Sequence, residues 1–207
     1  MVGLRRSAAP VVIILVSAIA ITIAILRSSP PTESTIEPAA GAGYRAEQAE
    51  SSPSDLEKIL SATIGPRRLL QSMGKDAAVN ATKGLHKGNV KPAADATIGS
   101  YEGGITIWLT RYESDRMAKE QLEKMKQAME RYGGGFERLS EEKLGGSEVF
   151  VTRPKGEIQY FWSRKDVVAY LIPGNLGIDE IQRLIKDLNE KVDGLRPLAI
   201  SNGNSSE

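Results

Sequence analysis

One uninterrupted apolar run constrains this chain more than any other feature. Residues 8–26 read AAPVVIILVSAIAITIAIL, carry no charge, and have only Ser17 and Thr22 as polar side chains. A helix of about 20 residues, rising roughly 1.5 Å per residue, matches a hydrocarbon core of about 30 Å. In lipid the backbone must satisfy its own hydrogen bonds, so a lone apolar segment spans as a helix even where Ile and Val dominate it. Pro10 falls in the first turn, where its missing N–H costs nothing. A cleaved signal peptide is the competing reading, but such segments usually have an apolar core of about 7–15 residues ending at small side chains. Here the run is longer and stops at Leu26-Arg27-Ser28-Ser29-Pro30-Pro31. Arg5 and Arg6 precede the run, and Arg27 is the one basic residue close behind it. The positive-inside bias therefore predicts a cytoplasmic N-terminus and a single-pass anchor over residues 1–27, in contact with the lipid bilayer through residues 8–26 of the cell membrane. Everything that follows is expected outside.

Residues 28–53 are rich in Ser, Pro, Ala, Gly and Glu, with Pro30, Pro31, Pro38 and Pro53 and few large apolar side chains. Such a composition buries too little surface to offset the entropy of ordering, so a disordered tether is expected. Residues 54–196 are expected to form one globular domain, large enough to hold itself by packing, and residues 197–207 a polar tail. Across all 207 residues, 27 Lys and Arg stand against 26 Asp and Glu. That balance supplies no phosphate-binding surplus, so nucleic acid is not an expected partner. Cysteine is absent, which excludes disulfides, thiolate metal sites and a cysteine nucleophile.

Within the domain, Ser54 or Asp55 caps a predicted first helix over residues 54–62, continuing brokenly through Leu69, Leu70 and Met73. Residues 75–92 carry no readable pattern. A hairpin is predicted from residues 96–101 and 105–112, turned at Gly103-Gly104. Ser114 caps a strong helix to residue 132, with Ala118, Leu122, Met125, Met129 and Tyr132 along one side and Gly133-Gly134-Gly135 ending it. Strands follow over residues 148–153, 157–164 and 167–172, with separators so short that they must be antiparallel neighbours. A closing helix over residues 178–192 places Ile178, Ile181, Leu184, Ile185, Leu188 and Val192 on one stripe, and Gly194 stops it. The predicted class is α+β: an antiparallel sheet of about five strands with two main helices packed on one face.

Familiar chemistry is sparse. His86 is the single histidine, so no multi-histidine metal site exists, and no calcium loop, zinc spacing or cofactor motif is present. The glycine-punctuated loop around Lys83, His86 and Lys87 has the composition of an anion cradle, but a solvated loop leading into the first strand is the favoured reading. The acid pairs Glu113 and Asp115, Glu141 and Glu142, and Asp179 and Glu180 fall at helix starts or turns, where structure accounts for them. No catalytic residue is assigned. Aromatics form 5% of the chain yet crowd the strands as Trp108, Tyr160, Phe161, Trp162 and Tyr170, so the two sheet faces cannot both be fully polar, and a core face plus a partner-covered face is expected. Trp108, Tyr160 and Trp162 are the candidates for a ligand groove. Asn80-Ala81-Thr82 and Asn204-Ser205-Ser206 fit the N-glycosylation pattern, in segments read as loop and tail.

Residues 86–171 also resemble a family of uncharacterised archaeal membrane-anchored proteins. The resemblance rests on His86-Lys87-Gly88, then Ser100-Tyr101-Glu102-Gly103-Gly104-Ile105-Thr106-Ile107-Trp108, a methionine-bearing helix, Gly145-Gly146-Ser147-Glu148-Val149-Phe150, and the aromatic strand Gln159-Tyr160-Phe161-Trp162. It implies a small α+β extracytoplasmic domain attached to a membrane, and carries over no activity. Three functions remain in play. The first is a non-catalytic, membrane-tethered binding or assembly domain with a protein partner in or at the membrane. The second is a ligand-sensing or solute-binding accessory domain. The third is a carboxylate-dependent hydrolase.

Overall fold

Alternation along one strand sets the architecture. The computed structural model describes residues 53–85, 92–132, 136–154 and 156–198. At its centre lies β4, Ile105–Arg111, all seven residues of which are buried. Successive side chains of a strand point to opposite faces, so Ile105, Ile107 and Leu109 need cover on one side and Thr106, Trp108 and Thr110 on the other.

The strands around it are β1 (Thr63–Ile64), β2 (Arg67–Gly74), β3 (Asp95–Tyr101), β5 (Phe136–Leu144), β6 (Ser147–Pro154), β7 (Gln159–Arg164) and β8 (Val167–Ile172), and the helices are α1 (Lys75–Leu85), α2 (Asp115–Tyr132) and α3 (Ile178–Asp193). They form one eight-stranded sheet in the order β1-β2-β3-β4-β8-β7-β6-β5, antiparallel at every pairing. The predicted α+β class agrees with this, and the hairpin β3–β4 and the short-turned run β6–β7–β8 lie where the sequence places them. Gly103 and Gly104 turn the hairpin with φ of 80° and 77°, the left-handed region that favours glycine.

Several expectations are corrected. The sheet has eight strands rather than about five. Residues 67–74, read as a broken helix, form β2; the spacing of Leu69, Leu70 and Met73 imitates a helical stripe because a bulge between Leu69 and Gln71 shifts the register against β3. Strand β5 is an edge strand, and its sequence FERLSEEKL is rich in charge, which guards an edge but hides the alternation that marks a strand.

The first helix reduces to one turn of 3-10 helix, Glu57–Ile59. Its capping signal is nonetheless present: Ser54 N–H donates to Glu57 Oε2 at 2.6 Å and Glu57 N–H to Ser54 Oγ at 3.1 Å. Leu60 is already extended, and the chain turns into β1. Conversely, α1 occupies part of the stretch that had no pattern, because it packs through small residues, Ala78 and Thr82, and shows no broad apolar stripe.

A further correction concerns layers. Helix α3 covers the face of Ile107, Leu109, Val149, Val151, Tyr160, Trp162 and Leu171, whereas α2 packs through Ala118, Leu122 and Met129 on Phe150, Phe161 and Val168. Those two sets alternate along the same strands, so α2 and α3 lie on opposite faces, with α1 joining α2 through Trp108. Two amphipathic stripes each require one sheet face, and a strand buried on both sides supplies two.

The predicted anchor (residues 1–27), residues 28–52 of the predicted tether 28–53 and residues 199–207 of the predicted tail 197–207, with His86, Lys87, Asn204 and Gly133-Gly134-Gly135, lie outside the described residues. Among the described residues no helix is long and apolar enough to cross a membrane.

Candidate functional site

Where β8 ends and α3 begins, the sheet face carrying α3 is left partly open. An open cleft of about 690 Å³ lies there, lined by Ile158, Tyr160, Pro173, Leu176, Ile178 and Ile181, with Gly156, Glu157 and Gly174 at its rim. Tyr160, Leu176 and Ile181 form its floor and belong to the main core. Ile178, expected on the buried stripe of the closing helix, is 52% exposed. As the first residue of α3 it lies beyond the end of β8, so no strand covers it. Burial first, and the charge of Glu142 second, push the Tyr160 phenol up; at neutral pH it stays protonated, an apolar ring with a polar tip.

The rim is held rigidly by charge and by close backbone approach. Glu180 accepts from Gly177 N–H at 3.1 Å, which occupies the start of α3 with the helix's own acid. The same carboxylate receives Arg67 Nη1 at 2.8 Å, while Arg67 Nε donates to Asn175 Oδ1 at 2.9 Å. The Arg67 hydrogen bond, then the Gly177 amide, hold the Glu180 carboxyl below its ordinary range. Asn175 N–H in turn donates to Gly103 O at 3.1 Å. A Cβ on Gly174 would lie 2.2 Å from Gly103 O and 2.7 Å from Gly104 C, so only glycine lets the β8–α3 loop cross the β3–β4 turn at this distance.

Of the three aromatic candidates, only Tyr160 faces this cleft. Trp162 shares its sheet face but is 1% exposed and donates its indole N–H to Asn189. Trp108 lies on the opposite face, where its indole N–H donates to Thr82 Oγ1 at 3.1 Å. There it begins a cross-strand aromatic row: Trp108 to Tyr170 at 6.3 Å, Tyr170 stacked on Phe161 at 4.5 Å, and Phe161 to Phe150 at 6.4 Å, with Lys126 Nζ over Phe150 at 5.9 Å. Helices α1 and α2 cover this row, which makes it core. The three residues therefore do not converge on one ligand.

Lys83 is exposed on α1 rather than in a glycine loop. Asn80 is also on α1, corrected from the loop expected there, and Thr82, third residue of its sequon, is 6% exposed with its hydroxyl bonded to Ala78 O and Trp108. The acid pairs stay apart: Glu141 pairs with Lys126, Glu142 accepts from Ser140, and Glu180 pairs with Arg67. Among the described residues no three His, Asp or Glu side chains gather as a metal site.

Sequence reading missed Ile178 as a rim residue and Asn189 as a buried hub. Asn189 carried a signal, being a polar side chain four residues after Ile185 on the apolar stripe of α3; Ile178 carried none, because nothing local distinguishes the covered end of a stripe from the open one. Comparison with protein-family models, with curated proteins and with solved structures found no match for this chain.

Proposed function

We propose that this chain is a membrane-tethered, non-catalytic binding or assembly domain displayed on the outer side of the cell membrane, and that the cleft between Tyr160 and Ile178 is its binding surface. The observation that carries the reading is the exposed Ile178 above an apolar floor, since a large aliphatic side chain left half in water beside an open groove marks a place for a partner. The uncharged run of residues 8–26, with Arg5 and Arg6 before it, supports the attachment and its direction. A second reading, a small-ligand sensor, draws on the volume of about 690 Å³, which lies within the roughly 300–1,000 Å³ of small-molecule sites; the open mouth favours a side chain of a protein partner.

Two measurements on intact cells test this. Protease added outside should remove a C-terminal tag and spare an N-terminal one; protection of the C-terminal tag would put the domain in the cytoplasm. A photo-crosslinking residue at position 178 should yield one defined adduct, and one at exposed Lys119 on α2 should not. Equal labelling from both positions would remove the cleft from the proposal.

A further inference from the structure

We infer that the outer edge of β2 is a self-association surface, on which the same strand of a second copy of this chain adds antiparallel and joins two sheets into one. The two edges of the sheet are built differently. Strand β5 carries Glu137, Arg138, Glu141, Glu142 and Lys143 among its nine residues, the kind of charge that keeps an edge from pairing. At the other edge, β1 pairs only with Arg67 and Arg68, and Leu69 N–H donates to Ala62 O at 2.8 Å. Past Leu69 no described strand lies on that side of β2. The stretch left open, Leu70-Gln71-Ser72-Met73-Gly74, has no charged residue, and Leu70 is 58% exposed. Leu70 takes up the register shift, and residues 71–74 pair one for one with residues 100–97 of β3, so they keep regular extended geometry behind it. None of these residues lines the cleft, so the inference stands apart from the cleft and its occupant.

The chemistry of a strand edge selects its occupant. Alternate residues present a backbone N–H and C=O at intervals of about 6.8 Å, a row that only another extended backbone meets in full. Every copy of this chain carries a matching row. An isologous antiparallel pair satisfies both open edges at once, and Ser72, the middle of the open stretch, then falls opposite itself across a two-fold axis. Leu70 of one copy lies opposite Gly74 of the other, and Gln71 opposite Met73. Charge does not oppose this pairing. Arg67 and Arg68 at one end of the strand are bonded to Glu180 and Glu102. Lys75 and Asp76 follow the other end, where Glu57 packs against Gly74. Both signs thus stand at each end, and neither end brings an excess of like charge to the other. Five residues a side bury far less than the roughly 1,600 Å² of a standard interface, so the dimer is weak and is best detected by trapping it.

The chain has no cysteine, so single substitutions report this contact without background. The test uses the full-length chain, solubilised in a mild detergent and oxidised with copper phenanthroline. Residues opposite each other in an antiparallel pair have Cα atoms about 4.5–5.5 Å apart, within disulfide range, so Ser72→Cys should form a linked dimer about tenfold faster than Lys119→Cys, at an exposed position of α2. Gln71→Cys and Met73→Cys should each link poorly alone and well when the two are mixed, because an offset of two residues sets like positions about 8 Å apart, beyond disulfide reach. Adding Leu70→Lys to Ser72→Cys should slow linking about tenfold by placing a charge from each copy on the shared edge. Leu70 is exposed, so the fold is kept, and circular dichroism checks it. Equal rates at positions 72 and 119, a rate at 72 unmoved by Leu70→Lys, or a mixed pair that links no better than its members overturns the inference. So does a Ser72→Cys adduct with a different protein in cells in place of the dimer, which would make that protein's strand the occupant.

Discussion

The indole N–H of Trp162 on β7 donates to Oδ1 of Asn189 on α3 at 3.0 Å, and the same amide's Nδ2 donates to Gly145 O at 2.9 Å and Ser147 Oγ at 3.0 Å. One buried amide thereby joins a helix, a strand and the β5–β6 turn, with every polar atom satisfied. Trp108 does the same work on the other face through Thr82. Each tryptophan fixes one helix against the sheet.

Asn189→Leu keeps the branching and number of side-chain heavy atoms but leaves the Trp162 N–H, Gly145 O and Ser147 Oγ without their partner in the core. Unmet buried polar groups are expensive, so a loss of about 2–4 kcal/mol is expected in urea unfolding. A change under about 0.5 kcal/mol would mean that water enters and replaces the amide.

Thr82→Val is nearly isosteric and removes the acceptor of Trp108. Destabilisation of about 1–2 kcal/mol is expected, with an altered tryptophan emission spectrum. For Asn80→Ala, at an exposed position of the same helix, the expected change is within about 0.5 kcal/mol. Comparable losses from both would place the stability of α1 in its helix propensity rather than in the Trp108 bond.

Gly174→Ala drives a methyl into the backbone of Gly103 and Gly104 at a φ of 55°. Neither partner is a flexible side chain that can swing aside, so about 2–4 kcal/mol is expected. Gly146→Ala, at a φ of 84° with nothing within 4 Å, meets only the backbone penalty of about 1–2 kcal/mol. Thermal unfolding of the two variants should preserve that order.

Acid should weaken the fold through its ion pairs. A hydrogen bond from Arg67 lowers Glu180, one from the Arg68 amide lowers Glu102, one from Arg164 lowers Asp193 and one from Lys58 lowers Asp55. A carboxyl held lower in the folded state contributes stability that is fully present above its unfolded value, about 4, and is lost as pH falls through the folded value. Burial raises Asp95, which acts in the opposite sense: protonation on acidification relieves a cost. Unfolding free energy should thus hold from pH 7 to about 5 and fall below about pH 4. Glu180→Gln should make that fall shallower and Asp95→Asn should make it steeper. An identical acid slope in the Glu180 variant would show that its pair with Arg67 does not contribute.

Legibility followed physical cause. Elements whose signal is local could be read: the helix after Ser114, the helix before Gly194, and the tight turns at Gly103-Gly104 and Lys165-Asp166. Elements defined by distant partners could not. Strand β2 carries a bulge in its pairing with β3, β5 is an edge strand whose charges erase alternation, and α1 packs on β3 and β2 and accepts a hydrogen bond from Trp108, 26 residues beyond Thr82.

By itself, then, the sequence determined the α+β class, the apolar run of residues 8–26 with its flanking arginines, the want of cysteine, and the alternation along β4, because hydropathy, charge and turn chemistry are properties of neighbouring residues. Only the tertiary structure decided that α2 and α3 take opposite faces, that Trp108 and Trp162 are structural, and that Ile178 is left at the mouth of a cleft. Those outcomes depend on where each strand ends against each helix, which is set by packing between residues far apart in the chain.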